Sequence, residues 1–246
     1  MDKPSEVYDL ESDIESLISF IDFTEDGKER IIEVIRNMRS NYARKCLLSY
    51  GLKTYIDDLK GIYLLDSYES ITENNLEFLL SVKADLNAKD SSDNGNTILH
   101  KIVKQPGCID LMKTIIDNNV DVNIKNDKQE TALHIAANKL EYTKLLIESG
   151  ADIEVHDKRL LTPLHYAVIN PECVDVLIKA GAVVNTIDKY GYSVLHKAIQ
   201  NQQSVELLLK ANINVNIRDG FGHTPLYYAK NNIDISSLLL SVGAYM

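Results

Sequence analysis

Thr97-Ile98-Leu99-His100, Thr131-Ala132-Leu133-His134, Thr162-Pro163-Leu164-His165, Ser193-Val194-Leu195-His196 and Thr224-Pro225-Leu226-Tyr227 are five versions of one phrase, spaced 34, 31, 31 and 31 residues apart. An aliphatic run follows each phrase: Ile115-Ile116, Leu145-Leu146, Leu177-Ile178, Leu207-Leu208-Leu209 and Leu238-Leu239-Leu240. One phrase per fixed period means one supersecondary unit stacked on copies of itself. Such an array has no central core, so its apolar residues, 45% of the chain, are spread along its length.

Each residue type fits a place in a helix pair. Thr or Ser before an apolar run can cap a free backbone N–H of the first turn, and Pro163 and Pro225 follow where a missing N–H costs nothing. Each second helix ends at a residue suited to left-handed backbone: Gly150, Gly181 and Gly243, with Asn119 and Asn212 as substitutes and Lys83 in the weakest copy. Ala136, Ala137, Ala167, Ala198 and Ala229 are packing positions where a neighbouring helix comes close.

The phrase and its period resemble the ankyrin repeat, whose signature is T-P-L-H-x-A. Residues 92–246 carry five copies, at about 92–125, 126–156, 157–187, 188–218 and 219–246, and residues 61–91 read as a degenerate partial repeat. The fold class expected is mainly α: a solenoid of helix pairs with hairpin or turn fingers, preceded by a small helical region over residues 1–60. The resemblance implies that His100, His134, His165 and His196 knit adjacent repeats through backbone and hydroxyl hydrogen bonds. As zinc ligands they would stand about 10 Å apart, the spacing of packed helices, too far to share one ion.

The three repeats that begin at Thr131, Thr162 and Ser193 are two residues short, and the Gly that usually separates the two helices is missing from them. This truncated form resembles the ankyrin proteins of poxviruses, and Lys outnumbering Arg 20 to 6 agrees with an AT-rich genome. That resemblance implies a host protein as partner, and interference with antiviral defence or host range as the effect. Many such proteins carry a C-terminal F-box-like segment. This sequence ends at Met246, beside the last repeat, so sequestration is expected rather than delivery to a ubiquitin ligase.

Upstream, Val7, Leu10, Ile14, Leu17, Ile18 and Ile21 predict an amphipathic helix capped by Ser5, followed by helices over about 28–48 and 53–65. This region is expected to cover the apolar end of the array; the alternative is a docking module for a second partner. Of the net charge of −10, residues 1–26 hold −8, whereas residues 27–60 have eight basic side chains against four acidic. An acidic helix lying on a basic one fits that division. Nucleic acid as partner is discounted, because phosphate binding needs positive charge over a whole face.

Cys46, Cys108 and Cys173 are odd in number and far apart, with no C-x-x-C pair, signal peptide or membrane-length apolar run. The expectation is a monomer with reduced thiols in the cytoplasm, or the host cytoplasm if viral, with the nucleus open to it and no membrane partner. Gly-rich phosphate loops, H-E-x-x-H and G-x-S-x-G are missing, so no catalytic, cofactor-binding or metal residues are expected.

Function is then expected from surface. In ankyrin proteins finger tips and first helices form a concave groove that binds other proteins, and here the tips of the last three repeats are unusually apolar, aromatic and Arg-bearing. Arg159, Leu161, Tyr190, Tyr192, Phe221 and His223, with Ile169 on a first helix, are the candidate protein-binding residues. A second class of reading is an intracellular scaffold joining two partners through the N-terminal helices and the solenoid. A third, an enzyme, would show a cleft with perturbed acids or a nucleophile.

Overall fold

A computed structural model describes residues 71–81, 84–91 and 93–246. The helices expected over residues 5–65, their capping role, their charge pairing and Lys83 lie outside the described residues. The chain divides into two units, Met1–Ile102 and Val103–Met246.

In the first unit, α1 (Glu73–Ser81) buries Leu76 and Leu79. A turn from Asp90 to Asn96 then closes through an isolated antiparallel bridge and leads to Thr97 at the start of α2 (Ile98–Lys104). Asp90 is buried there with Lys101 as its ion-pair partner.

The second unit continues with α3 (Ile109–Asp117) and then four helix pairs: α4 (Ala132–Ala136) with α5 (Leu140–Glu148), α6 (Pro163–Ala167) with α7 (Pro171–Lys179), α8 (Val194–Ala198) with α9 (Gln202–Lys210), and α10 (Pro225–Ala229) with α11 (Ile233–Ser241). The missing residues come out of the first helix. The 34-residue interval gives α2 seven residues followed by Gly107 at φ 72°, whereas the shortened repeats have first helices of five residues and no such glycine. Between pairs the described chain forms turn fingers. Its β character is limited to two isolated bridges, of which Ile187 to Ser193 lies in this unit.

Leu133, Leu164 and Leu195 of the first helices and Leu146, Leu177, Leu208 and Leu239 of the second are fully buried. Each contributes about 1.5–3 kcal/mol of transfer free energy, and the sum is distributed by repeat. The five alanines are buried to within 1%, which lets neighbouring first helices approach. Cys173 is fully buried near the start of α7, accepting from the Thr143 hydroxyl at 3.9 Å, and burial pushes its thiol up. Such a group is a small apolar filler.

The second helices end where left-handed residues were expected: Asn119, Gly150, Gly181, Asn212 and Gly243 have φ between 59° and 99°. Their starts hold Asn170, Asn201 and Asn232, whose side-chain oxygens accept from the first-turn backbone. The amides of Asn170 and Asn201 also donate to Asn138 and Ile169 carbonyls of the preceding repeat, so these two caps are also ties between repeats.

Histidine completes the stitching. The Thr131 N–H donates to His134 Nδ1 at 3.1 Å, which fixes the proton on Nε2, and Nε2 donates to the Leu161 carbonyl of the next repeat at 3.1 Å. His196 repeats the arrangement from Ser193 N–H to the His223 carbonyl, also at 3.1 Å. His165 departs from it. Its Nδ1 accepts from Thr162 N–H, but its buried Nε2 points toward the Tyr192 carbonyl without forming a hydrogen bond. Two of these three rings therefore tie repeats together, and His165 caps its own helix only.

Burial makes imidazolium unfavourable at all three rings and lowers each below the usual histidine value. The Leu161 and His223 carbonyls partly offset this for His134 and His196. At His165 burial, and after it Lys197, outweigh the opposing Asp188 and Tyr192 carbonyl, and the ring falls to about 4.

Candidate functional site

Four fingers of the second unit are built on one plan, set by a buried Asp or Asn at the base. Its Oδ1 accepts two backbone N–H groups of its own finger: Lys128 and Glu130 for Asn126, Arg159 and Leu161 for Asp157, Tyr190 and Tyr192 for Asp188, Phe221 and His223 for Asp219, all at 2.7–3.0 Å. Holding both N–H groups folds the tip back on itself, which requires positive φ two residues before each capping Thr or Ser. Gln129, Leu160, Gly191 and Gly222 take φ of 61°, 61°, 83° and 82°. Successive fingers are linked by single backbone bonds, Lys158 to Lys128, Lys189 to Arg159 and Gly220 to Tyr190, at 2.8–3.0 Å.

A buried carboxylate needs more than two N–H donors, and the first helix supplies the next one from the position after the histidine slot. Tyr166 donates to Asp157 Oδ2 at 2.8 Å, Lys197 pairs with Asp188 at 3.2 Å, and Tyr228 donates to Asp219 at 2.5 Å. In the repeat whose base is the neutral Asn126, that position is Ile135. Burial opposes ionisation of Asp157 and Asp219. The Leu161 N–H and Tyr166 hydroxyl outweigh it at Asp157, and the Tyr228 hydroxyl and His223 N–H at Asp219, so both stay below the usual carboxylate range. Conversely, Tyr166 is raised by its burial and then by Asp157, and Tyr228 by Asp219 and Tyr192. These hydroxyls remain protonated at any physiological pH.

Tyrosines from the first helices merge with those of the tips. His223 stacks on Tyr227 with ring centroids 3.8 Å apart and planes 2° apart, and Phe221 follows at 6.5 Å from His223. Tyr192, His196 and Tyr228 contact one another at 5.7–5.9 Å. Cations lie over the rings: Lys230 is 4.6 Å from Tyr227, Lys189 4.8 Å from Tyr190 and Arg159 5.8 Å from Tyr166. Of the exposed rings, Phe221 borders this cluster through His223, and Tyr190 has Lys189 over its face.

Of the candidate binding residues, Phe221 (73% exposed), Ile169 (66%) and Tyr190 (56%) stand in solvent, as does Arg159. Tyr192 and His223 are half-buried within the ring cluster. Leu161 is corrected: it is buried, because the residue after a left-handed tip turns back under its own finger, and its backbone N–H and carbonyl serve Asp157 and His134. Tyr166, Tyr227 and Tyr228 lie in the same ring and finger cluster and are not among the candidate binding residues.

Comparison with known proteins agrees with this geometry. A family model described as ankyrin repeats (3 copies) matches residues 68–157, 143–219 and 164–246, which covers well over half of the sequence. The chain belongs to the ankyrin-repeat family. No curated protein matches it. Ankyrin repeats are in general protein–protein interaction modules, and in this ankyrin chain Tyr190 and Phe221 are exposed at finger tips.

Proposed function

We propose that the finger face of the last three ankyrin repeats binds another protein and acts by occupancy, covering a surface that the partner uses elsewhere. The observation that carries this reading is the exposure of Phe221 and Tyr190 beside a layer of interlocked rings. Large aromatic side chains that are pre-positioned lose little entropy on binding, and such residues with Arg dominate interface energetics. In this reading the chain is not an enzyme and uses no cofactor, and its titratable groups on this face serve the fingers.

The finer proposal is that the partner is a host protein and the chain a viral host-range or immune-modulating factor acting by sequestration in the host cytoplasm. The truncated 31-residue repeats with five-residue first helices, and the preference for Lys over Arg, support it. The test is affinity capture from permissive cell lysate with wild-type protein beside the Tyr190→Ala/Phe221→Ala variant, with bound proteins identified by mass spectrometry. A host protein captured by the wild type and lost with the variant is the expected result. Capture indifferent to both changes would refute this face as the binding surface.

A further inference from the structure

The two sides of the second unit differ in charge. On the finger side, Lys128, Glu130, Asp157, Lys158 and Arg159 line a depression of about 320 Å³. Asp157 is buried and already accepts from two backbone N–H groups and the Tyr166 hydroxyl. Asp157 also pairs with Arg159 at 3.4 Å and Glu130 is half-buried beside it, so the three cations of the depression outnumber its two carboxylates; Lys128 and Lys158 are exposed there, as is Lys189 on the next finger. The second-helix side has a depression lined by Glu172, Asp175 and Glu206 with Lys210, and Asp175 pairs there with Lys179 at 2.6 Å. In a chain of net charge −10, the tips at residues 158, 159 and 189 carry three cations beside the finger-base carboxylates of Asp157 and Asp188.

Beyond this run the face changes character without a break. Tyr190 is half-exposed on the same finger as Lys189, and Phe221 is the exposed tip of the following one. Backbone bonds from Lys158 to Lys128, Lys189 to Arg159 and Gly220 to Tyr190 hold all four tips in one row. The row thus reads, in order, two exposed lysines and an ion-paired arginine around a depression, a cation beside an aromatic ring, and an exposed aromatic ring.

Resting on the binding face proposed above, we infer that its ligand is an extended acidic segment of a partner protein. One carboxylate seats between the exposed Lys128 and Lys158, and an apolar or aromatic side chain meets Tyr190 and Phe221. Charge complementarity chooses an acidic occupant for this side and repels it from the other. Geometry sets the spacing. Repeats stack at about 10 Å, the distance between packed helices. The path from the Lys158/Arg159 tip to the Phe221 tip crosses two repeats, about 20 Å, and an extended chain rises about 3.3 Å per residue. The carboxylate and the apolar anchor are then about six residues apart in the partner, with the acid and the anchor on the same side of the strand.

The test is an array of immobilised 12-residue peptides in a Ser/Thr background. Each carries one Glu pair and one Trp, at separations from two to ten residues, and the array is probed with the full chain. The expected result is strongest binding near a separation of six, a loss of at least tenfold when Glu is replaced by Lys, and progressive weakening as salt is raised from 50 to 500 mM. Lys158→Glu/Lys189→Glu, both at exposed tips, should abolish the preference for acid while leaving thermal unfolding unchanged. Lys128→Ala serves as a milder variant should the double reversal disturb the fingers. Binding without acid dependence, binding insensitive to spacing, preference for basic peptides or no binding at all would each overturn the inference. If the peptides fail while Tyr190→Ala/Phe221→Ala still loses a captured protein, the acidic-segment chemistry falls alone and the binding face stands.

Discussion

Substituting His165 by Gln should make this protein less sensitive to acid, although it removes a buried ring. The folded-state value of His165 is about 4 against 6.5 for a free histidine, because burial and Lys197 both disfavour the charged ring. A depressed histidine means that the unfolded chain binds protons more readily than the folded one, so stability falls as pH drops through 6.5 and keeps falling to about 4. Each pH unit in that window is worth about 1.4 kcal/mol. Between pH 7.0 and 4.5 the loss from His165 alone is about 2–3 kcal/mol. Asp157 and Asp219 are lowered from 3.8, so their contributions disappear only at more acid pH and the window isolates histidine. Gln can serve as the reciprocal partner in a helix capping box and has no proton to gain. Urea denaturation at both pH values, followed by circular dichroism, gives the two differences. Wild type should lose about 2–3 kcal/mol more than His165→Gln over this range. An equal pH-dependent loss in both proteins would refute the reasoning, whatever their absolute stabilities.

His134→Ala should be more damaging than His165→Ala at pH 7, by about 1 kcal/mol in chemical denaturation, because only His134 makes the bond to the next repeat. Gly191→Ala and Leu160→Gly probe one structural position in opposite directions. A Cβ on Gly191 would lie 2.8 Å from Gly220 N at positive φ, so the variant should lose 2 °C or more in Tm, whereas Leu160→Gly should gain through relief of a left-handed cost of about 1–2 kcal/mol. Tyr228→Phe removes the hydroxyl donor from buried Asp219 and should cost about 1–3 kcal/mol, read as a lower urea midpoint with unchanged m.

The fold was legible because a repeat states its rule several times. Thr97, Thr131, Thr162, Ser193 and Thr224 mark helix starts, and Asn119, Gly150, Gly181, Asn212 and Gly243 mark ends, each by a local backbone requirement that residue type alone expresses. The face was only partly legible. Exposure at Tyr190 and Phe221 follows from their place at the tip. Burial of Leu161 follows instead from a left-handed turn at Leu160, and leucine gives no sign of that turn, whereas Gly191 and Gly222 do. Tyr166 and Tyr228 are not among the candidates that the sequence offers. Their signal was present as a correlation within the chain: the position is Tyr or Lys where the finger base is Asp, and Ile135 where it is Asn126. The shared role of the two positions appears only once finger and helix are brought together.

The account rests on the fingers of the last three repeats being the surface that meets a partner. Amide hydrogen exchange of the chain, alone and with the protein that Tyr190→Ala/Phe221→Ala fails to capture, measures that directly. Protection is predicted at 157–162, 188–193 and 219–224, with α5, α7 and α9 unchanged. Protection confined to those second helices, with the fingers exchanging as in the free chain, would contradict it.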